Sequence, residues 1–350
     1  MGGPAAAARL RPVQPDAQAQ AQADAQAQAD AQVQVQVQIQ VDAQAQAQVH
    51  ARVLAQVQVR APSPAVIQAR SAPSAGAASG PAWLRDINKY RRATGIAAVT
   101  AKAAWITGIR DHLRYMAGTP ARYLTGQYAS LHTENPQSPY YTKPGATEAG
   151  ASDLFQGAAG FTAVDFINGW LSSPFHAIGM LRPALRHVAF ASNSSTGDAG
   201  LDVISGLTGT APDRGPVLFP GPAVTTNLLT YSGSEEPNPL QTCHWTTRHQ
   251  HGLPLIALLR ASPAKHLTAT ITAATGVKES TAKGTICMVD RHHYHSSDLV
   301  YGPTGAQILA GDNAVLLIPI HPLKRGSYHV TIKQPGLPDV TWSFSAVRPK

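Results

Sequence analysis

Ser172-Ser173-Pro174 sets a firm boundary in the middle of this chain. Upstream, Ala163, Phe166, Ile167 and Trp170 recur at helical spacing. Downstream, Pro174 suits the first position of a new helix, where a proline loses no needed N–H, and Ser172 or Ser173 is the natural cap. Two apolar helices must therefore meet at a bend, with His176 in the first turn of the second. The partial positive charge of a helix start disfavours imidazolium, so a neutral ring is expected, the form that binds metals or accepts protons. A packed or capping histidine is the plainer alternative.

Before that region the chain changes character twice. Residues 16 to 60 alternate alanine and glutamine, passing through Val33-Gln-Val-Gln-Val-Gln-Ile39. Such a tract could pair with copies of itself, but alanine and glutamine bury too little to offset chain entropy, and it reads as disordered. Residues 61 to 82, rich in Pro, Ser, Ala and Gly, read as a linker, giving a first segment of 1–82.

Order is expected from residue 83. Trp83, Ile87 and Tyr90 share a helical face that ends at Gly95, and Thr100 reads as the cap of a second helix carrying Trp105, Ile109, Leu113 and Met116. His112 borders that stripe and reads as a hydrogen-bonded structural histidine. Ser130 to Gly145 reads as loop, which draws interest to His132 and Glu134, two apart and on one face of an extended segment. Arg186 to Ser192 and Ala199 to Ile204 read as an antiparallel pair, so 83–210 is expected to be an α+β sandwich. Beyond residue 212, His266–Thr272, Thr285–Val289, Ala314–Pro319 and Tyr328–Lys333 are short strands in a proline- and glycine-rich context, predicting an all-β sandwich over 212–347. The histidine-rich stretch Arg291-His-His-Tyr-His295 reads as a solvated loop, as do His249 and His251.

Several functions are excluded or left open. A net charge of +8 suits anionic wall polymers, lipid head groups or nucleic acid. No RNP-like, zinc-finger or helix-turn-helix signature supports the last, and no apolar run is long enough to span a bilayer. Cys243 and Cys287 permit one disulfide, or two buried thiols in a reducing compartment. There is no Gly-x-Ser-x-Gly elbow and no His-Glu-x-x-His helix.

Trp170, Ser173-Pro174, His176, Met180-Leu181-x-Pro183 and Val188-Ala-Phe190 together resemble the Trp-x-x-Ser-Pro-x-His stretch of the bacterial, SCP-like branch of the CAP superfamily. Ile87-Asn-x-Tyr-Arg91, Gly95-Ile, Arg110-Asp-His-x-x-Tyr-Met116 and His132-Thr-Glu134 extend the resemblance over 83 to about 208. Phe219-Pro-Gly-Pro, Glu235-Glu-Pro-Asn-Pro239 and the closing Thr341-Trp-Ser-Phe344 are similar to a bacterial immunoglobulin-like module that follows some such domains.

The resemblance implies a CAP-type α-β-α sandwich followed by an immunoglobulin-like one. It also implies a cavity whose histidines and acids hold a divalent metal, zinc in type. The positions that carry over are His132, His176 and an acid, Glu134 first and Glu148 in Thr147-Glu-Ala-Gly150 second; the usual Gly-Glu-Asn segment is absent and a serine stands near Ser173 where another acid is expected. It further implies a secreted or surface location, although Met1 to Arg11 shows no leucine-rich signal core. In an oxidising compartment a Cys243–Cys287 bridge would close a loop of about 45 residues, worth roughly 3–4 kcal/mol. The expected function is binding of a metal, a lipid or a cell-wall ligand. The alternatives are a metal-dependent hydrolase and an adhesion module without a small ligand.

Overall fold

The computed structural model describes residues 80–209 and 215–348, and the Ala-Gln tract and the linker to residue 79 lie outside them. Helix α1 (Ala82–Ala93) buries Trp83, Leu84, Ile87 and Tyr90. Its Asn88 side chain then grips both backbone groups of Val99, donating to the carbonyl (2.9 Å) and accepting from the N–H (2.7 Å). That contact holds the next residues extended. Strand β1 (Thr100–Ala101) follows, and the Thr100 N–H donates to the Arg186 carbonyl. Thr100 is therefore not a helix cap. Helix α2 (Ile106–Gly118) starts later, after a single 3₁₀ turn.

Helix α3 (Lys143–Ala149) occupies a stretch that reads as loop from its Lys-Pro-Gly start. The Thr142 hydroxyl caps it by accepting from the Gly145 N–H, and Pro144 lies in its first turn. Strand β2 (Ser152–Phe155) leads to α4 (Ala163–Ser172), whose start is a reciprocal Thr162–Asp165 capping box. Helix α5 (Pro174–Leu181) begins at Pro174 as its sequence requires, although Ser173 forms no side-chain cap bond. The expected hairpin follows as β3 (His187–Asn193) and β4 (Asp198–Asp202).

The first sheet runs β1-β3-β4-β2, with β1 parallel to β3 and the other pairs antiparallel. Alternation along β3 divides two apolar layers: Val188 and Phe190 join α1, α4 and α5, while Ala189 and Ala191 join Ile109, Leu113 and Met116 of α2. Gly200 is required here, because a Cβ would lie 2.8 Å from Ile109.

The remaining strands are β5 (Val217–Phe219), β6 (Thr225–Thr226), β7 (Thr230–Tyr231), β8 (His251–Gly252), β9 (Leu255–Leu258), β10 (Thr268–Ala273), β11 (Lys278–Ser280), β12 (Ile286–Asp290), β13 (Ala314–Pro319), β14 (Gly326–Lys333) and β15 (Val340–Ala346). They form sheets ordered β11-β10-β14-β15-β6 and β12-β13-β9-β5, plus the small pair β7-β8. Alternation along β14 and β15 buries Tyr328, Val330, Ile332, Trp342, Phe344 and Ala346. Helix α6 (Gly302–Gly311) precedes β13, and neither periodicity nor capping residues announce it in the sequence.

All described residues belong to one compact unit, and one apolar core runs from Trp83 through the C-terminal sheets to Ala346. Cys243 and Cys287 are joined by a disulfide, Cα atoms 5.7 Å apart. Among the described residues no helix is long and apolar enough to cross a membrane.

Candidate functional site

His176 enters the first turn of α5, where the free amide groups alone would favour a neutral ring. The tertiary structure reverses that bias. Glu235, from the turn after β7, is buried against the helix start, and its Oε2 accepts from His176 Nδ1 (2.9 Å) and from the Phe175 N–H (3.1 Å). Its Oε1 accepts from the Tyr231 hydroxyl at 3.2 Å. Burial lowers the His176 pKa, but the bond to Glu235 and the charges of Asp153 and Glu235 outweigh it, and the net shift is upward. The ring thus keeps its Nδ1 proton on Glu235 and leaves Nε2 outside that bond.

His132 is tied differently. Its Nδ1 donates to the carbonyl of Ala149 at the end of α3 (3.0 Å). Burial, followed by the charges of His176 and His112, drives its pKa down to about 4, so this ring is neutral at any ordinary pH. Tyr301 stands edge-on to it, ring centroids 6.2 Å apart, and the Tyr301 hydroxyl accepts from the Leu131 N–H. Tyr294 packs similarly on Phe175. Three side chains from beyond residue 212, Glu235, Tyr294 and Tyr301, therefore brace the segments that carry the two histidines.

Residues 84–205, which contain both histidines, match the family model for CAP, the cysteine-rich secretory protein family. That stretch, about a third of the chain, is similar to a CAP domain. Neither a curated protein nor a solved structure matches it.

Within residues 84–205 the two carboxylates expected beside the histidines are engaged elsewhere. Glu134 Oε1 accepts from His112 Nδ1 (2.9 Å) and its Oε2 from the Thr142 N–H, which ties the 130–142 loop to α2 and to the start of α3. His112 is accordingly a buried, hydrogen-bonded structural histidine. Glu148 lies under α2 with its Cγ close to Gly108, facing Asp202 of β4. Glu235 is the carboxylate that holds a site histidine. Its sequence signal is weak, a Glu-Glu-Pro turn 59 residues from His176, and only the packing of the C-terminal sheets on α5 brings it there. His251, expected in a solvated loop, is buried in β8 and stacked on Trp245.

A divalent cation can be tested against these donors. Metal-bound imidazoles characteristically spend their second nitrogen on a carboxylate or a backbone carbonyl, which is what His176 and His132 do. A third protein ligand is not assembled: among the described residues no three His, Cys, Asp or Glu side chains are grouped to hold a metal. With two imidazoles alone, the other coordination positions of a zinc ion would fall to water or a bound ligand.

Glu148 and Asp202 are both buried, and Oε2 of one and Oδ2 of the other lack partners among the described groups. Burial, reinforced by the Asp202 charge, lifts the Glu148 pKa to about 8. At neutral pH Glu148 is therefore largely protonated, and its O–H serves Asp202. The native state keeps a proton that the unfolded chain releases near the ordinary glutamate value of 4.5, so this stabilisation is complete below that pH and drains away as pH rises through about 8. Glu148→Gln supplies a permanent donor. The drop in Tm between pH 5 and pH 8.5 is expected to be smaller in the variant than in the wild type; equal drops would rule out the shared proton.

Proposed function

We propose that this chain is an exported, bacterial-type CAP protein that takes a divalent cation, zinc in the first instance, between His132 and His176. The remaining coordination positions go to water or to a lipid or cell-wall ligand. The observation that carries this reading is the bracing of both rings from behind, by Glu235 and by the Ala149 carbonyl, with Nε2 of each outside those bonds. A lone pair on His132 that stays unprotonated down to about pH 4 supports it further. Export is supported by the disulfide, since such bonds persist in oxidising compartments. We read the sheets beyond residue 212, antiparallel except for the β15–β6 pair, as the immunoglobulin-like module, which here steadies the site.

The test is elemental analysis and zinc titration of protein purified without a polyhistidine tag. Near-stoichiometric zinc is expected in the wild type and none in His132→Ala/His176→Ala. Removing the bracing carboxylate in Glu235→Ala is expected to weaken zinc binding roughly 10–100-fold. Wild-type protein that takes up no zinc would overturn the cation reading.

A further inference from the structure

A concavity lies on the C-terminal part of the chain, beside the disulfide. It has a volume of about 240 Å³ and is lined by Gln241, His244, Trp245, His295 and Ser297. Two loops form it, and they are pinned to each other. Thr242 and His295 exchange hydrogen bonds between side chain and backbone, and Gln241 Oε1 accepts from Ser296 Oγ and from both the N–H and the Oγ of Ser297. The Cys243–Cys287 bond anchors the first loop to β12.

The aromatic wall is braced as well. Trp245 is half-buried, and one face of its indole is covered by His251, ring centroids 5.1 Å apart and nearly parallel. His251 is itself held by a bond from Nε2 to the Thr246 carbonyl. His251 thus fixes the indole, which packs in part on the apolar core and lines the concavity with the rest of its surface. His244, next to it, holds a left-handed backbone (φ +54°) without being glycine, a conformation that persists only where the surroundings enforce it and one common at binding sites.

The lining chemistry narrows the occupant. No carboxylate, lysine or arginine faces the concavity, so it offers no charge match to an ionic ligand. It has no apolar depth for an acyl chain. It offers one fixed aromatic plane and a rim of amide, imidazole and hydroxyl groups, each able to hydrogen-bond in a fixed direction. A sugar ring presents the matching surface, an apolar C–H face with hydroxyls around its edge. We infer that this concavity is a saccharide-binding subsite, with Trp245 as its platform and His244, His295, Gln241 and Ser297 as its polar rim.

Saturation-transfer NMR on the full chain tests this, with glucose, N-acetylglucosamine and their β-1,4-linked tetramers as probes. At millimolar probe, transfer to at least one of them is expected in the wild type. It should fall at least tenfold in Trp245→Ala, survive in part in Trp245→Phe, and persist in His132→Ala/His176→Ala, which separates this site from the CAP-domain histidines. Thermal melts of each variant identify any that is unfolded, in which case Trp245→Phe and His244→Ala/His295→Ala carry the comparison. No transfer in the wild type, or transfer unaffected by every change to the platform and rim, would overturn the assignment. So would a response to Zn²⁺ at His244 and His295 with none to the sugars.

Discussion

Arg91→Met is expected to lower the unfolding free energy by about 4 kcal/mol, in the range found when a buried charged network is broken from one side. Arg91 is fully buried, and its guanidinium faces carbonyls rather than a carboxylate: Nε donates to Ala97, Nη1 to Met180 and Arg182, and Nη2 to Leu185. Burial, then the neighbouring Arg186, lowers its pKa to about 10, which leaves it charged at neutral pH. Methionine fills the volume but strands four acceptors. Lysine keeps the charge yet lacks the planar fork, so Arg91→Lys should also be destabilised, by less. Urea denaturation reads both, and a loss under about 1 kcal/mol for the methionine variant would contradict this account. The functional link is α5. Arg91 clamps its C-terminal end, Arg182 pairs there with Asp312 beyond α6, and His176 sits at the other end of the same helix.

The second large effect is expected from the disulfide. Cys243 and Cys287 are 44 residues apart in sequence, and closing a loop of that size stabilises by about 4 kcal/mol in the chain-entropy picture. For a folded unit of this size, Cys243→Ala/Cys287→Ala should lower Tm by roughly 10 °C. The buried side of the bond, Cys287 in β12, tolerates alanine better than serine, whose hydroxyl would lack a partner. Reduction of the wild type should produce a similar fall in Tm. An unchanged Tm in both experiments would mean that the loop is already constrained without the bond.

Much of the CAP-like region was legible because its signals are local. The Ser-Pro boundary between α4 and α5, the stripe of Ile109, Leu113 and Met116, and the turn between β3 and β4 all depend on neighbours a few residues apart. Helix α3 was hidden because Lys-Pro-Gly has poor intrinsic helix propensity, and only the Thr142 cap and its packing on α2 stabilise it. Thr100 is ambiguous because a threonine before an apolar stripe serves equally as a cap or as a strand residue, and the Asn88–Val99 contact decides between them.

The candidate site divides in the same way. Sequence alone placed His132 in a loop and His176 at a helix start, and marked Cys243 and Cys287 as able to pair. Which partner each carboxylate meets was settled by tertiary structure: Glu134 goes to His112, Glu148 to Asp202, and Glu235 crosses from the turn after β7 to His176. Sequence spacing fixes which side chains share a face of one helix or strand, and so it determined the elements and their buried stripes. The charge state of His176 depends instead on a partner 59 residues away, and no local pattern encodes an encounter created by packing the C-terminal sheets against α5.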